Sequence, residues 1–407
     1  MEHYTVAIVG GGPAGLATAL FLADADPSLT ERIVVLEKET YPRDKICGGA
    51  IGARGDDLLA SIGVKVDVPS AEVNVLSVHT EEGETSARVS RLGRVVRRIE
   101  YDHALAKIAQ ARGIRILEGA AVHGLCVFEK RVELESERGR FSADVVVGAD
   151  GVSGYVRRAL GLPPGRVRAQ VIAVDTEPVV SDRPRDVLHF DFFSREFSGY
   201  AWDFPTLVDG REMVCRGVYH LRLDDRKIDI TRLLSERLAE RGLDIKQCRV
   251  QRCAERGYES AQRYASPRVV LVGEAAGIDG PSGEGIPQAL QYGAFAGRYL
   301  AKKCAQGEYS FRDWDAKLAR VEPGRMLRMH ERSVYGYFGP KRAFYERHMI
   351  CLPGFVQISA EQLAGLPLSY GAFMRDVAAH TLRTLFRKDV PARRAAQPSA
   401  EAPRSLS

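Results

Sequence analysis

An apolar run from Thr5 to Val9 opens directly into Gly10-Gly11-Gly12-Pro13-Ala14-Gly15, and few folds accept that succession. The run is short and continuous rather than alternating, as expected of a parallel strand covered on both faces. Gly10 allows the tight turn out of the strand, Gly12 lets backbone come close to a pyrophosphate, and Gly15 lets the next helix pack on the strand. A helix starting near Pro13 presents free N–H groups and its positive dipole end, with Pro13 and Ala14 in its first turn. A second apolar run, Ile33 to Leu36, ends in Glu37-Lys38, and places an acid where a ribose 2′-hydroxyl would need it. An adenosine with a free 2′-hydroxyl, in FAD or NAD, is the expected ligand, with Lys38 beside it.

The rest of the chain is read against that start. With 407 residues, 45% of them hydrophobic, it can bury a large core and is expected to hold more than one domain. No basic stretch followed by an apolar core precedes Thr5, so a secretory signal is not expected. No apolar stretch approaches the roughly 18 residues of a spanning helix. Seven cysteines, without a Cys-x-x-Cys pair, disfavour a disulfide framework and a zinc site, so no metal is expected and the compartment is read as cytoplasmic. The net charge of +5 is spread along the chain, not clustered as in a nucleic-acid binder.

Three further stretches carry chemistry. Tyr41-Pro42-Arg43-Asp44-Lys45-Ile46-Cys47-Gly48-Gly49 holds too many breakers for helix or central strand, and loops of this kind carry function more often than packing. A strand from Ala143 ends in Gly148-Ala149-Asp150-Gly151, where Asp150 either lies by the cofactor or caps the helix that follows. Another buried strand, Arg268 to Val272, ends in Gly273-Glu274, an acid suited to a ribityl hydroxyl. It leads through Gly283-Glu284-Gly285-Ile286 into a helix of about sixteen residues whose N-terminal amides can stabilise the negative charge of a reduced flavin. Three separated segments with cofactor roles favour FAD over NAD.

The glycine fingerprint, the Pro42-Arg43-Asp44-Lys45-x-Cys47-Gly48-Gly49 loop and the Arg98-x-x-Tyr101-Asp102-x-x-Leu105 helix start resemble the geranylgeranyl reductase family. That family is a branch of the FAD-dependent superfamily that also holds aromatic hydroxylases and flavin halogenases. The resemblance implies that Arg98 reaches the FAD pyrophosphate and that Arg43 lies near the adenosine or flavin edge. It also implies that Tyr200-x-Trp202-x-Phe204-Pro205 lines a cavity for an isoprenoid chain, although alternate aromatics on a strand face are also ordinary core. The Asp150-Gly151 segment departs from the family pattern in having its serine one place early, at 153, and Glu274 stands where aspartate is usual.

The expected fold is α/β. Residues 1–46, 99–165 and 265–305 form a Rossmann-type FAD domain, and 47–98 and 166–264 an inserted antiparallel substrate domain. A helical region (306–390) and a disordered tail (391–407) complete the chain. The expected reaction is reduction of carbon–carbon double bonds in an isoprenoid or prenylated molecule. Cys47 is the candidate proton donor, because a thiol is protonated at neutral pH; its alternative is a small buried loop residue. NAD(P)H or reduced ferredoxin would be a transient donor, since no second dinucleotide fingerprint appears. Monooxygenation of a prenylated aromatic stays open as a second chemistry. Halogenation is disfavoured by the lack of a Trp-x-Trp-x-Ile-Pro stretch. A basic, amphipathic stretch at 370–388, with Phe373, Val377, Leu382, Leu385 and Phe386 along one side, adds a candidate peripheral contact with membrane.

Overall fold

The computed structural model describes residues 1–278, 280, 283–350 and 352–386. The chain starts β1 (Glu2–Val9), α1 (Pro13–Ala25), β2 (Ile33–Leu36), β3 (Ala50–Gly52) and α2 (Ala53–Ala60), then the long hairpin β4 (Ser70–Thr80) and β5 (Gly83–Val96). It continues through α3 (Arg98–Ala111), β6 (Arg115–Leu117), β7 (Val122–Val127), β8 (Val132–Ser136), β9 (Gly139–Gly148) and α4 (Tyr155–Ala159). Next come β10 (Arg168–Thr176), β11 (Val187–Phe192), β12 (Gly199–Val208), β13 (Arg211–Leu221), α5 (Ile230–Ala239) and β14 (Gln251–Arg256). The last strands are β15 (Ala265–Ser266) and β16 (Val269–Leu271), followed by α6 (Ile286–Gln306), α7 (Trp314–Leu318), α8 (Gly324–Phe338), α9 (Arg342–Tyr345), α10 (Pro353–Ala364) and α11 (Tyr370–Phe386).

Among the described residues these strands form two sheets of eight. In the first, β16, β9, β1, β2 and β6 lie side by side and parallel. Their carboxyl ends therefore share one edge. Glu37 after β2, Asp150 after β9 and Glu274 after β16 are brought to the edge from which the Gly10–Gly15 turn leaves β1, the edge where open α/β sheets take ligands. Covered on both faces, these strands are apolar without alternation; Val6, Ile8, Val34, Val35, Val146 and Val270 are fully buried.

The α1 helix is buried on nearly every side, which explains its apolar composition all round. Leu16, Leu20, Phe21 and Leu22 are each at 0% exposure and are worth about 1.5–3 kcal/mol apiece. One covering element is α6, which approaches at Gly293 and Gly297. A Cβ at either would stand within 2.6 Å of α1 backbone, so glycine sets the close spacing of the two helices. Both helices start at the carboxyl edge, so their N-termini face the same site.

The second sheet runs β14-β10-β13-β12-β11-β4-β5-β3 and is antiparallel except where β11 meets β4. One face carries Ile172, Val174 and Val218 under Leu234 and Leu238 of α5. The other carries Leu76, Leu188, Tyr200, Trp202, Phe204 and Tyr219, and Val334 and Phe338 of α8 with Val356 and Ala360 of α10 close over it. Of the helices after residue 306, α8 and α10 roof the second sheet. The tail expected at 391–407 lies outside the described residues.

Candidate active site

Around the glycine turn the backbone and three side chains are locked together. Gly10 sits at φ +108°, and a Cβ there would run into the Ala149 carbonyl. At Gly12 the backbone is extended, and a Cβ would meet only Arg43 Nη2, at 3.9 Å. That open approach, at a helix start whose N-cap has no side-chain hydrogen bond, suits a pyrophosphate. Glu37, 4% exposed, accepts the Gly11 amide at 2.8 Å, and Tyr41 Oη donates to the Gly11 carbonyl. The residues present therefore fit FAD at this end. Lys38 does not join them: its side chain is 70% exposed and lies 3.6 Å from Glu39.

Arginines 43 and 98 converge on one buried carboxylate. Arg98 grips Asp102 through Nε and Nη2, both at 2.7 Å, while Arg43 Nη1 reaches the same carboxylate at 3.1 Å. Arg43 Nη2 also lies 3.2 Å from the Gly11 carbonyl and 3.3 Å from Glu37. Burial opposes the Arg98 charge, but Asp102 outweighs it and pushes the guanidinium above its usual range. The guanidinium at the glycine turn is thus Arg43, whereas Arg98 stands further along, in the wall of a small polar pocket with Lys45, Cys47 and Gly48. Asp102, quoted in the sequence only as part of the helix-start motif, was given no role there, although its i, i+4 spacing from Arg98 was a usable signal. Asp102→Ala leaves the buried Arg98 without its carboxylate and Arg43 with Glu37 alone, and is expected to cost about 3–5 kcal/mol of stability, measurable by denaturant titration.

The other acids of the edge are held as firmly. Asp150 accepts the Val156 amide at 2.9 Å, so it does bind the start of α4, and burial raises its carboxyl above the usual range. Glu274 pairs with Lys45 at 3.0 Å, tying the third segment to the Arg43–Gly49 loop. Burial disfavours the Lys45 charge, yet Glu274 outweighs it and holds the ammonium above its ordinary range. Arg157, also absent from the sequence candidates, is 2% exposed and donates to the carbonyls of Ala275 and Ala276, so it fixes the turn after Glu274.

Beside this edge lies a cavity of about 240 Å³. Its floor is the aromatic face of the second sheet: Phe190, Tyr200, Trp202 and Phe204, with ring centroids 5.1–6.4 Å apart. These side chains are core and lining at once, so the two readings of the Tyr200–Pro205 stretch do not exclude each other. Ile46 to Gly49 form one wall, and Gly283 to Ile286 another. A Cβ at Gly48 would press on Phe204 at 3.0 Å, and Gly49 needs its φ of +79°. Gly283, at φ +65°, passes under the Tyr200 hydroxyl. Pro281 and Ser282 lie outside the described residues. Glu284 faces the cavity but turns its carboxylate to Arg54 of α2.

The remaining wall was not foreseen. Tyr337, Phe338, Ile350, Phe355 and Leu363, all after residue 306, complete the lining. Cys47 and Gly48 line both spaces, the apolar cavity and the small polar pocket by Lys45 and Arg98. Cys47 is partly exposed, and its Sγ accepts the Gly49 amide at 3.3 Å. Among the described residues no group of three or more His, Cys, Asp or Glu is placed to hold a metal. No described helix is long and apolar enough to cross a membrane.

Comparison with known proteins agrees with this geometry. A family described as FAD binding domain matches residues 3–308. Digeranylgeranylglycerophospholipid reductase 1 of Methanococcoides burtonii is 26% identical over 385 residues, covering 90% of this chain and 88% of its own. Geranylgeranyl diphosphate reductase of Rhodobacter capsulatus is 28% identical over 361 residues, 82% of this chain and 84% of its own. The crystal structure of a geranylgeranyl bacteriochlorophyll reductase-like protein from Thermoplasma acidophilum superposes with a TM-score of 0.68 at 19% identity, over 95% of this chain and 98% of the other. At that identity the likeness is one of fold.

Proposed function

This chain belongs to the FAD binding domain family and is an FAD-dependent oxidoreductase of geranylgeranyl reductase-like kind, and from that premise we propose that it reduces carbon–carbon double bonds in an isoprenoid chain or prenylated small molecule. One observation carries the reading: Cys47 and Gly48 border both the apolar cavity and the polar pocket at the cofactor segments. Reduced FAD, when bound, supplies a hydride. The chain's residues do the rest. Phe190, Trp202, Phe204 and Phe338 surround an apolar chain and keep water from it. The amides at the start of α6 favour negative charge on a reduced flavin ring. The Cys47 thiol donates a proton to the second carbon and is restored from solvent, so each double bond gains one hydride and one proton. A reductant from outside, NAD(P)H or a reduced ferredoxin, has to renew the cofactor.

The names of the relatives support a substrate of this class without fixing which member it is. The test measures donor, oxygen and product together, with geranylgeranyl diphosphate as the probe. Donor consumed in proportion to saturated bonds, undiminished without oxygen, is the expected result. Oxygen consumed in step with an oxygenated product would replace reduction by monooxygenation.

A further inference from the structure

We propose that Glu284 anchors the substrate and not the cofactor: one oxygen of its carboxylate accepts a hydrogen bond from a hydroxyl group, so the cavity takes an isoprenoid alcohol in preference to the corresponding diphosphate. The inference rests on the cavity being the substrate site, as in the function proposed above, and names the class of substrate end held there.

The stretch of wall around Glu284 is polar, and its groups are poorly partnered. Arg54 of α2 pairs with Glu284 Oε2 through Nη2, the two side chains being 10% and 13% exposed. Glu284 Oε1 and Arg54 Nε are buried with no hydrogen-bond partner among the described residues. Arg54 Nη1 is spent on Met326 Sδ of α8 at 3.2 Å, and Gln362 Nε2 of α10 points to the same sulfur at 2.7 Å. A thioether is a weak acceptor. The shared sulfur sets the Gln362 amide beside the ion pair, and the end of α10 closes on it: a Cβ at Gly365 would stand 3.0 Å from Arg54 Cβ. Glu284, Ser359 and Gln362 all line the cavity. Buried polar groups are ordinarily satisfied, so an unpaired carboxylate oxygen in a cavity wall calls for a ligand that donates to it.

Charge decides what that donor is. Arg54 already balances the Glu284 carboxylate, so a second cation would stand by a guanidinium without an acid of its own. A phosphate fares no better, because Glu284 and Glu255 both bring carboxylates to the lining, and no lysine or arginine is among the described lining residues. Lys45 and Arg98 border the other pocket, where they hold Glu274 and Asp102. A neutral hydroxyl meets the need: its O–H donates to Glu284 Oε1 and its oxygen accepts from Gln362. Leu76, Leu188, Phe190, Phe204 and Phe338 then surround the hydrocarbon chain. A diphosphate is held through its chain alone, so it binds but more weakly.

Equilibrium dialysis with the oxidised full-chain holoprotein tests the anchor without any turnover. The probes are geranylgeraniol, its methyl ether and geranylgeranyl diphosphate. Wild type should bind the alcohol roughly tenfold or more tighter than either of the others, the margin of a hydrogen bond to a charged group. In Glu284→Gln that margin should shrink several-fold. In Arg54→Met/Glu284→Leu, which exchanges the buried pair for apolar groups of similar volume, it should vanish, with FAD retained in both variants. Should Glu284→Gln fail to fold because Arg54 is left without its acid, the double variant decides alone. Wild-type preference for the diphosphate, equal affinity for alcohol and ether, or a margin that survives the double variant overturns the proposal. So does loss of FAD from folded Arg54→Met/Glu284→Leu, which would return Glu284 to the cofactor. If the alcohol is bound as expected while reduced holoprotein never saturates it, the anchor stands and the function proposed above falls.

Discussion

Gly12→Trp should purify colourless, folded and unable to take up FAD. The wild-type backbone at this position is extended, φ −79° and ψ −179°, so a side chain brings no backbone strain, and its Cβ would meet only the end of Arg43. The indole would instead fill the approach to the first turn of α1, where the amides are to meet a pyrophosphate. Losing two or more charge-assisted hydrogen bonds there corresponds to an affinity loss of roughly a hundredfold or more. Flavin absorbance after dialysis against FAD measures it, with circular dichroism as the control for folding. Gly10→Ala is the contrasting case. Its φ of +108° and the Ala149 carbonyl in its path mean that the fold itself should suffer. Equal damage to fold and flavin in both variants would mean that Gly12 serves packing and not the cofactor.

Cys47→Ala should keep FAD and lose turnover. The residue lies away from the α1 turn, so nothing in the nucleotide contacts changes; what disappears is the S–H between the cofactor side and the apolar cavity. General acid catalysis is typically worth ~10²–10⁴-fold, and a deficit of that order is expected in substrate reduction. Renewal of the reduced cofactor by its donor should be unchanged, which separates a lost proton donor from a disturbed flavin site. Stopped-flow absorbance can follow the two halves separately. Wild-type rates and products in both halves would make Cys47 a packing residue of the loop.

What could be read from the chain alone was set by how local the determinant is. The β1 turn, β2, Glu37 and the start of α3 at Arg98 follow from runs of a few residues and from the breakers that bound them. The alternate spacing of Tyr200, Trp202 and Phe204 likewise gave the face they share on β12. The failures are tertiary. The strand β7 is largely exposed, so its pattern lacks the apolar face that betrays a strand. The α6 helix runs 21 residues, past the sixteen or so expected, and Gly293 and Gly297 within it, which look like breakers in sequence, are contact points with α1. Tyr337, Phe338 and Phe355 joined the cavity only because α8 and α10 fold back over a sheet built more than a hundred residues earlier. Lys38 stands apart from Glu37 for the opposite reason: adjacency in the sequence does not set a side chain's direction past the end of β2, and the Lys38 side chain is 70% exposed. In α11 periodicity alone did not tell the packed stripe from the exposed one; Phe373 and Leu382, expected on one side, divide between protein and solvent. The expected partners of that stripe, Leu385 and Phe386, lie beyond the side chains described, and Arg387 and Lys388 beyond the described residues.

The proposed reaction is tested most directly by a single anaerobic turnover. Holoprotein reduced beforehand, with excess reductant removed, is mixed with geranylgeranyl diphosphate, and flavin absorbance and product mass are followed together. The account predicts that the flavin is reoxidised without oxygen and that each oxidised flavin corresponds to one double bond gaining two hydrogens. A flavin that stays reduced until oxygen is admitted, with oxygen then appearing in the product, would contradict it.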